Sequence, residues 1–291
     1  MESKAWPECR PDFNPVDHGL QKLRIESYRG LVFATFSDRA PSLQDYLGPA
    51  MRSGIDRIFQ KPVVYLGCTR QYSKSNWKLY LENVKDPYHA SLLHPFFSTF
   101  NLLRATTRAE LVSDERGLHL CAMFFHTEDA SGAAAYKQSK VASFKDGLRL
   151  EDSSILANFD EFEKTADFQI QSIFPQLVIQ QIQNSLAVRQ LLPKGPDHFE
   201  LIFHFVGFAD DTPEMRLQRI RQVNLVGPAG LVSMEDTLAT ELVQFGSSSI
   251  TNQFSLADMG RDAPEQEHMK STISENWIRT FWRAYQELME L

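Results

Sequence analysis

Two histidines five residues apart, His89 and His94, lie in the run Asn83-Val84-Lys85-Asp86-Pro87-Tyr88-His89-Ala90-Ser91-Leu92-Leu93-His94. Asp86 stands three residues before the first of them, and a further carboxylate, Asp236, lies far downstream in Ser233-Met234-Glu235-Asp236-Thr237. Two imidazoles and one carboxylate make the ligand set of a non-haem iron(II) centre that keeps open positions for dioxygen. A His-x4-His pair by itself is more often two unrelated histidines on a helix surface. Asp236 likewise has an ordinary role, as an acid near a helix start favoured by the macrodipole. Glu235 beside it and Glu241 on the same predicted helix compete as ligands, and periodicity does not choose among the three. His18, His119, His126, His198, His204 and His268 lack ligand spacing and read as structural or surface groups.

The elements around these residues set what they can do together. Residues 76–86 read as a helix with Trp77, Leu79, Tyr80, Leu81 and Val84 on its apolar face, interrupted by Pro87. Asp86 and His89, three apart, would share one helix face. His89 and His94, five apart, would point about 140° away from each other on an ideal helix. They can meet one ion only if the helix bends or ends beside them, and Pro87 and Pro95 bracket the segment.

The rest of the chain reads as α+β. Residues 1–20, rich in breakers, read as an irregular lead-in. Leu23–Tyr28 alternates like a strand, Gly30–Phe36 reads as a buried strand, and Ser42–Gly48 as a short helix capped by serine and ended by glycine. Tyr65–Ser73 reads as a strand, 100–126 as strand-like pieces, and 127–165 as polar loops and helix. Strands are expected at Phe174–Ser185, Ala187–Pro193 and Phe199–Phe208, the last two joined by a Lys194-Gly195-Pro196-Asp197 hairpin turn. Helices follow at 212–226, at Ser233–Phe245 after the Gly227-Pro228-Ala229-Gly230 break, and at 273–290. The pattern is an antiparallel meander with helices packed on it.

Composition narrows the function class. The 291 residues are 43% hydrophobic and 23% charged, an ordinary globular balance. A net charge of −7 without a basic run argues against nucleic acid as the main partner. No apolar run approaches the roughly 20 residues of a membrane span, and no basic-then-apolar leader opens the chain. Cys9, Cys68 and Cys121 are far apart and odd in number, which fits reduced thiols and a cytoplasmic protein. No Cys-x-His or Cys-x-x-Cys pair is present, so the sequence carries no cysteine-ligated zinc or iron–sulfur site of its own.

The run Asn76-Trp77-Lys78-Leu79-Tyr80-Leu81-Glu82-Asn83, with Asp86, Tyr88-His89 and His94, resembles the catalytic-domain signature of Rieske-type aromatic-ring-hydroxylating oxygenase large (alpha) subunits. Tyr28–Ala34 and Ala40–Gly48 resemble the stretch before that domain, and Gly227–Gly230 with Asp236 resembles its third-ligand region. Tyr65–Ser75, Ile173–Gln181 and Ser233–Thr237 look most like the salicylate-hydroxylating members. The resemblance implies a helix-grip (START/Bet v1-like) α+β fold: a large antiparallel sheet with covering helices around a tunnel to the metal. It implies that His89, His94 and Asp236 bind mononuclear iron(II), that Asn83 lies beside the iron, and that Asp86 links His89 to the Rieske cluster of a neighbouring subunit. For Asp86 a helix-cap role before Pro87 stands beside that one.

The implied reaction hydroxylates an aromatic ring with O2, in aromatic catabolism. In the narrower match it converts salicylate to gentisate. NAD(P)H-derived electrons would arrive through a reductase and ferredoxin, in a homotrimer of large subunits with or without small (beta) subunits. Candidate walls of the substrate pocket are Ala90, Leu93, Phe168, Ile170 and Gln180. Arg104 and Gln180 are candidates to hold a substrate carboxylate, although Arg104 also reads as an ordinary surface arginine.

One departure qualifies this. Family members carry a [2Fe–2S] Rieske cluster on two cysteines and two histidines, and this sequence has no such set. Residues 1–48 then read as the tail of that domain and a connector, and 49–291 as the mononuclear iron domain. On that reading the chain is truncated or takes its electrons from another polypeptide. A catalytically incompetent remnant acting in assembly, and a hydrophobic-ligand binder on the same fold, remain as alternatives.

Overall fold

A computed structural model describes residues 13–125, 130–162, 166–228, 230–249, 254–261, 268–269 and 273–291. The first twelve residues of the expected lead-in, Cys9, His126 and Ala229 of the expected helix break lie outside the described residues. The chain forms two compact units, one up to Tyr46 and one from Leu47 to Leu291.

In the first unit β1 (Arg24–Tyr28) and β2 (Leu31–Thr35) form an antiparallel hairpin with Tyr28 opposite Leu31. The expectation of a buried strand over Gly30–Phe36 is overturned: alternate residues of β2 face solvent, and Val32 and Phe36 are 70% and 63% exposed. A two-stranded ribbon has no second layer to cover both of its faces.

α1 (Leu43–Ile58) starts at Ser42, whose Oγ accepts from the Asp45 amide at 3.2 Å and donates to the Asp45 carboxylate at 2.6 Å. Gly48 does not end the helical run as the sequence suggested. It breaks it, at φ 66°, and the chain re-enters helix at Pro49. Proline is well placed there, because the first turn of a helix does not use its N–H groups.

The second unit is built on one antiparallel sheet. Its strands are β3 (Val63–Ser73), β4 (Arg108–Ser113), β5 (Leu120–Phe125), β6 (Phe168–Ile173), β7 (Leu177–Ile182), β8 (Ser185–Pro193), β9 (Phe199–Phe208) and the two-residue β10 (His268–Met269). Their order is β10-β4-β5-β6-β7-β8-β9-β3. Strands β4 to β9 pair in sequence as a meander, and β3 closes the far edge against β9, from Val63 opposite Phe208 to Ser73 opposite Phe199. The α+β class with a large antiparallel sheet and covering helices is therefore as expected.

The strand over Phe174–Ser185 is corrected. Residues 174–176 are a turn containing the cis Phe174–Pro175 peptide, with β6 before it and β7 after it. Proline has no amide hydrogen to give a ladder, so the apolar run splits there.

Between the strands lie α2 (Trp77–Val84), α3 (His89–Leu93), α4 (Pro95–Thr99) and α5 (Ala130–Gln138). After them come α6 (Pro213–Val226), α7 (Leu231–Ser249) and α8 (Asn276–Met289). Thr212 caps α6 by accepting from the Met215 amide at 3.2 Å. Tyr80 and Leu81 of α2 and Phe281 of α8 pack on Val178, Leu191 and Phe203 of the sheet. Trp282 Nε1 donates to Glu82 at 3.0 Å and ties α8 to α2. Among the described residues no helix is long and apolar enough to cross a membrane.

Candidate metal centre

Three segments bring the candidate ligands together. Asn76 caps α2, its Oδ1 accepting from the Lys78 amide at 3.0 Å, and the helix ends at Val84. Asp86 is thus past the helix end, and the expectation that it shares a helix face with His89 fails. Its carboxylate instead caps the next turn, accepting from the amides of Tyr88 (2.9 Å) and His89 (3.3 Å). The helix then ends a second time at His94, which is extended (φ −97°, ψ 98°) and precedes Pro95 at the start of α4. That break lets two histidines five apart face one point.

The carboxylate arrives from α7. Between α6 and α7 the Gly230 amide donates to the Gly227 carbonyl at 2.7 Å, and a Cβ on Gly230 would collide with the backbone carbonyls of Leu225 and Asn224. Asp236 is the sixth residue of α7, so it does not open a helix as the sequence suggested.

One ligand atom each from His89, His94 and Asp236 lies within 4.8 Å of the others. Asp236 Oδ1 is 3.4 Å from His89 Nε2 and 3.2 Å from His94 Nε2. The far nitrogen of each ring has its own acceptor: the Asp86 carbonyl for His89 Nδ1 (2.5 Å) and Glu235 Oε2 for His94 Nδ1 (2.7 Å). Asn83 Nδ2 donates to Asp236 Oδ1 (3.1 Å) and lies 3.3 Å from His89 Nε2. Glu241 is elsewhere, accepting from the Lys74 amide at 2.8 Å. The three competing acids thus separate: Asp236 faces both imidazoles, Glu235 holds one from behind, and Glu241 faces β3.

The electrostatics fit a cation. Rings that donate Nδ1–H to these acceptors present Nε2 lone pairs toward Asp236 Oδ1. Three acceptor atoms then share one pocket, which a metal ion satisfies. With protons in its place, burial works to lower the His94 pKa, but hydrogen bonds to Asp236 and Glu235 outweigh it and push it up to about 9. Burial works against ionising Asp236, and bonds from His89 and His94 overcome it, holding the carboxyl far below the usual carboxylate range.

A cavity of about 80 Å³ opens over these ligands. Of the expected walls, Ala90, Phe168 and Ile170 line it, while Leu93 and Gln180 do not. The sequence reading missed Phe97, Leu103, Phe124, Ile182, Val232 and Arg189. The apolar ones carry no local signal, since they read as core; Phe97 packs edge-on between His94 (5.3 Å) and Phe168 (5.5 Å). Arg104 is neither in this wall nor at the surface: it is 4% exposed and its Nε donates to the Ser98 carbonyl at 2.9 Å.

Fold and site together define an α+β protein with a His–His–Asp cluster under an apolar cavity. The chain belongs to the family described as ring hydroxylating alpha subunit (catalytic domain), whose model matches residues 64–291. It is 59% identical over 279 residues to the anthranilate 1,2-dioxygenase large subunit of Burkholderia cepacia, across 96% of this chain and 65% of that protein. The terephthalate 1,2-dioxygenase terminal oxygenase component subunit alpha 2 of a Comamonas species is 44% identical, across 95% and 66%. The salicylate 5-hydroxylase large oxygenase component of a Ralstonia species is 34% identical, across 96% and 65%. Two relatives therefore match more strongly than the salicylate enzyme that the sequence motifs favoured. The chain spans just under two thirds of each of these proteins. In fold it resembles naphthalene 1,2-dioxygenase from a Rhodococcus species, with TM-score 0.71 at 19% identity, over 91% of this chain and 66% of the other.

Proposed function

We propose that this chain is the mononuclear iron domain of an aromatic-ring-hydroxylating oxygenase, in which His89, His94 and Asp236 hold iron(II) and the cavity above holds the ring. The observation that carries the reading is the convergence of the three ligand atoms on the floor of an apolar cavity. Iron, when bound, supplies open coordination positions for dioxygen.

The chain's own residues do the rest. His89 and His94 present Nε2, oriented from behind by the Asp86 carbonyl and Glu235. Asp236 supplies the negative charge, and Asn83 restrains its Oδ1. Phe97, Phe124 and Phe168 give the ring a dry, apolar wall that fixes its pose relative to the metal. Asp86, half-buried at the mouth of the His89 segment, is the group proposed to connect the site to an electron donor, a Rieske cluster on a neighbouring subunit.

Residues 1–48 are proposed as the end of a Rieske domain with a connector, and 49–291 as the mononuclear iron catalytic domain. The proposed setting is cytoplasmic, with a ferredoxin–reductase chain and a homotrimer of large subunits. The substrate is proposed to be a one-ring aromatic acid, supported by relatives named for anthranilate, terephthalate and salicylate. Conversion of salicylate to gentisate is the specific reaction put forward from the sequence motifs.

The test loads the chain with iron(II), supplies hydrogen peroxide in place of reduced donor, and compares salicylate with anthranilate, using His89→Ala as control. Gentisate that depends on His89 supports the full proposal. A His89-dependent product from anthranilate alone keeps the oxygenase and overturns the salicylate assignment. Failure to bind one equivalent of iron overturns the metal site.

A further inference from the structure

Arg189 of β8 lines the same cavity as His89, His94 and Asp236, and it is 7% exposed. Its Nε donates to Gln180 Oε1 at 2.7 Å, its Nη2 donates to the same oxygen, and its Nη1 donates to the Tyr80 hydroxyl at 2.8 Å. Its guanidinium also lies 5.0 Å from the Phe203 ring. Both hydrogen-bonding partners are neutral. Among the described residues no carboxylate pairs with it, in contrast to Arg219, a buried arginine held by both Glu161 and Asp211. Buried guanidinium groups ordinarily have an anionic partner.

The donor count points the same way. A guanidinium has five N–H groups, and three are used, leaving one on each Nη. Gln180, fully buried on β7, spends its oxygen on Arg189, and its amide Nε2 has no acceptor. Arg189 therefore brings to the cavity a positive charge that no carboxylate pairs among the described residues, and two spare N–H groups. A carboxylate corrects both, with one negative charge and two oxygens in the planar geometry that an arginine fork takes in pairs.

We infer that Arg189, braced by Gln180 and Tyr80, receives the carboxylate of an aromatic acid and so fixes which part of the ring faces the metal ligands. This rests on the oxygenase reading above and adds a specificity residue to it. Arg189 touches substrate on this account, and Gln180 and Tyr80 act through it. The predicted preference is for an aromatic ring bearing one carboxylate over the same ring bearing a neutral amide.

The test is calorimetric titration of the full metal-free chain, in excess chelator at pH 7, with salicylate and with salicylamide. Wild-type chain is expected to bind salicylate at least ten-fold more tightly. Arg189→Met should bring the two ligands within two-fold by weakening salicylate alone, and Arg189→Lys, which keeps the charge, should retain part of the preference. Equal affinity of wild-type chain for both ligands overturns the inference while leaving the oxygenase reading intact, and this arm needs no variant to fold. An Arg189→Met chain that keeps the full preference also overturns it. Binding of neither ligand by wild-type chain removes the aromatic-acid reading and this inference together.

Discussion

Glu235 Oε2 lies 2.7 Å from Nδ1 of His94, on the opposite side of the ring from the nitrogen that faces Asp236 at 3.2 Å. Consecutive residues of one helix thus face the two nitrogens of one imidazole, Asp236 on the Nε2 side and Glu235 as acceptor on the Nδ1 side.

Removing the orienting acceptor has a defined consequence. Glu235→Ala should weaken iron(II) binding by about 10- to 100-fold, the usual cost of losing the partner that orients a metal-bound histidine. Stoichiometry should stay at one ion. An anaerobic iron(II) titration measures this, and unchanged affinity would place the orientation of His94 elsewhere.

Gly230 sets the path into the helix that carries Asp236. A methyl group there meets backbone carbonyls of Leu225 and Asn224, which have no rotamer to give way. Gly230→Ala should lower stability by about 1–3 kcal/mol, the range for overpacking a tight site. Iron affinity should fall with it, because α7 must shift. Urea unfolding read beside iron titration tests the pair; a normal midpoint would sink the steric argument.

Arg219 holds the start of α6 to the sheet side of the molecule through Asp211 (2.7 and 2.8 Å), Glu161 (3.0 Å) and the Asn184 carbonyl (2.7 Å). Both carboxylates are almost fully buried. Arg219→Met leaves them without a counterion and should cost roughly 3–5 kcal/mol. Burial works against ionising Asp211, and hydrogen bonds from the arginine overcome it and hold its pKa below the usual carboxylate value. With the folded carboxyl titrating below its unfolded value, its contribution is present above the unfolded pKa and lost as pH falls through the folded one. The stability gap between wild type and Arg219→Met should therefore narrow toward acid pH, as thermal unfolding at pH 7 and pH 4 would reveal.

Lys85 caps α2 with its ammonium group buried, donating to the Leu118 carbonyl and the Ser172 hydroxyl at 3.0 Å each. Burial, only partly offset by attraction to Asp114, pushes its pKa down to about 7. An unfolded lysine titrates near 10.4, so between these values the unfolded chain binds the extra proton. Stability then rises with pH across that window, by up to about 1.4 kcal/mol per pH unit from this group. In Lys85→Met that slope should vanish. Urea unfolding of both proteins at pH 7.5, 8.25 and 9 checks it, and a constant difference between them would refute the buried-lysine account.

Local chemistry made much of this protein legible. β9 spans Phe199–Phe208, as expected, and α6 begins at Pro213 behind a Thr212 cap, within the helix expected over 212–226. Misses occurred where a local signal has two outcomes. Gly48 reads as a stop but serves as a kink, because Pro49 restarts the helix, and the strand expected across Pro175 is a turn.

The sequence by itself determined the residue types of the centre and the helix breaks beside them, since proline and glycine act on their own immediate backbone. Only the tertiary structure decided which acid faces the imidazoles. Neighbours on a helix point about 100° apart, and which direction is inward depends on how α7 packs on α2, where Asp236 meets Asn83 across 153 residues of sequence. The same holds for Arg189. That no carboxylate pairs with it among the described residues is a property of the surrounding fold, and a linear sequence does not record which side chains meet.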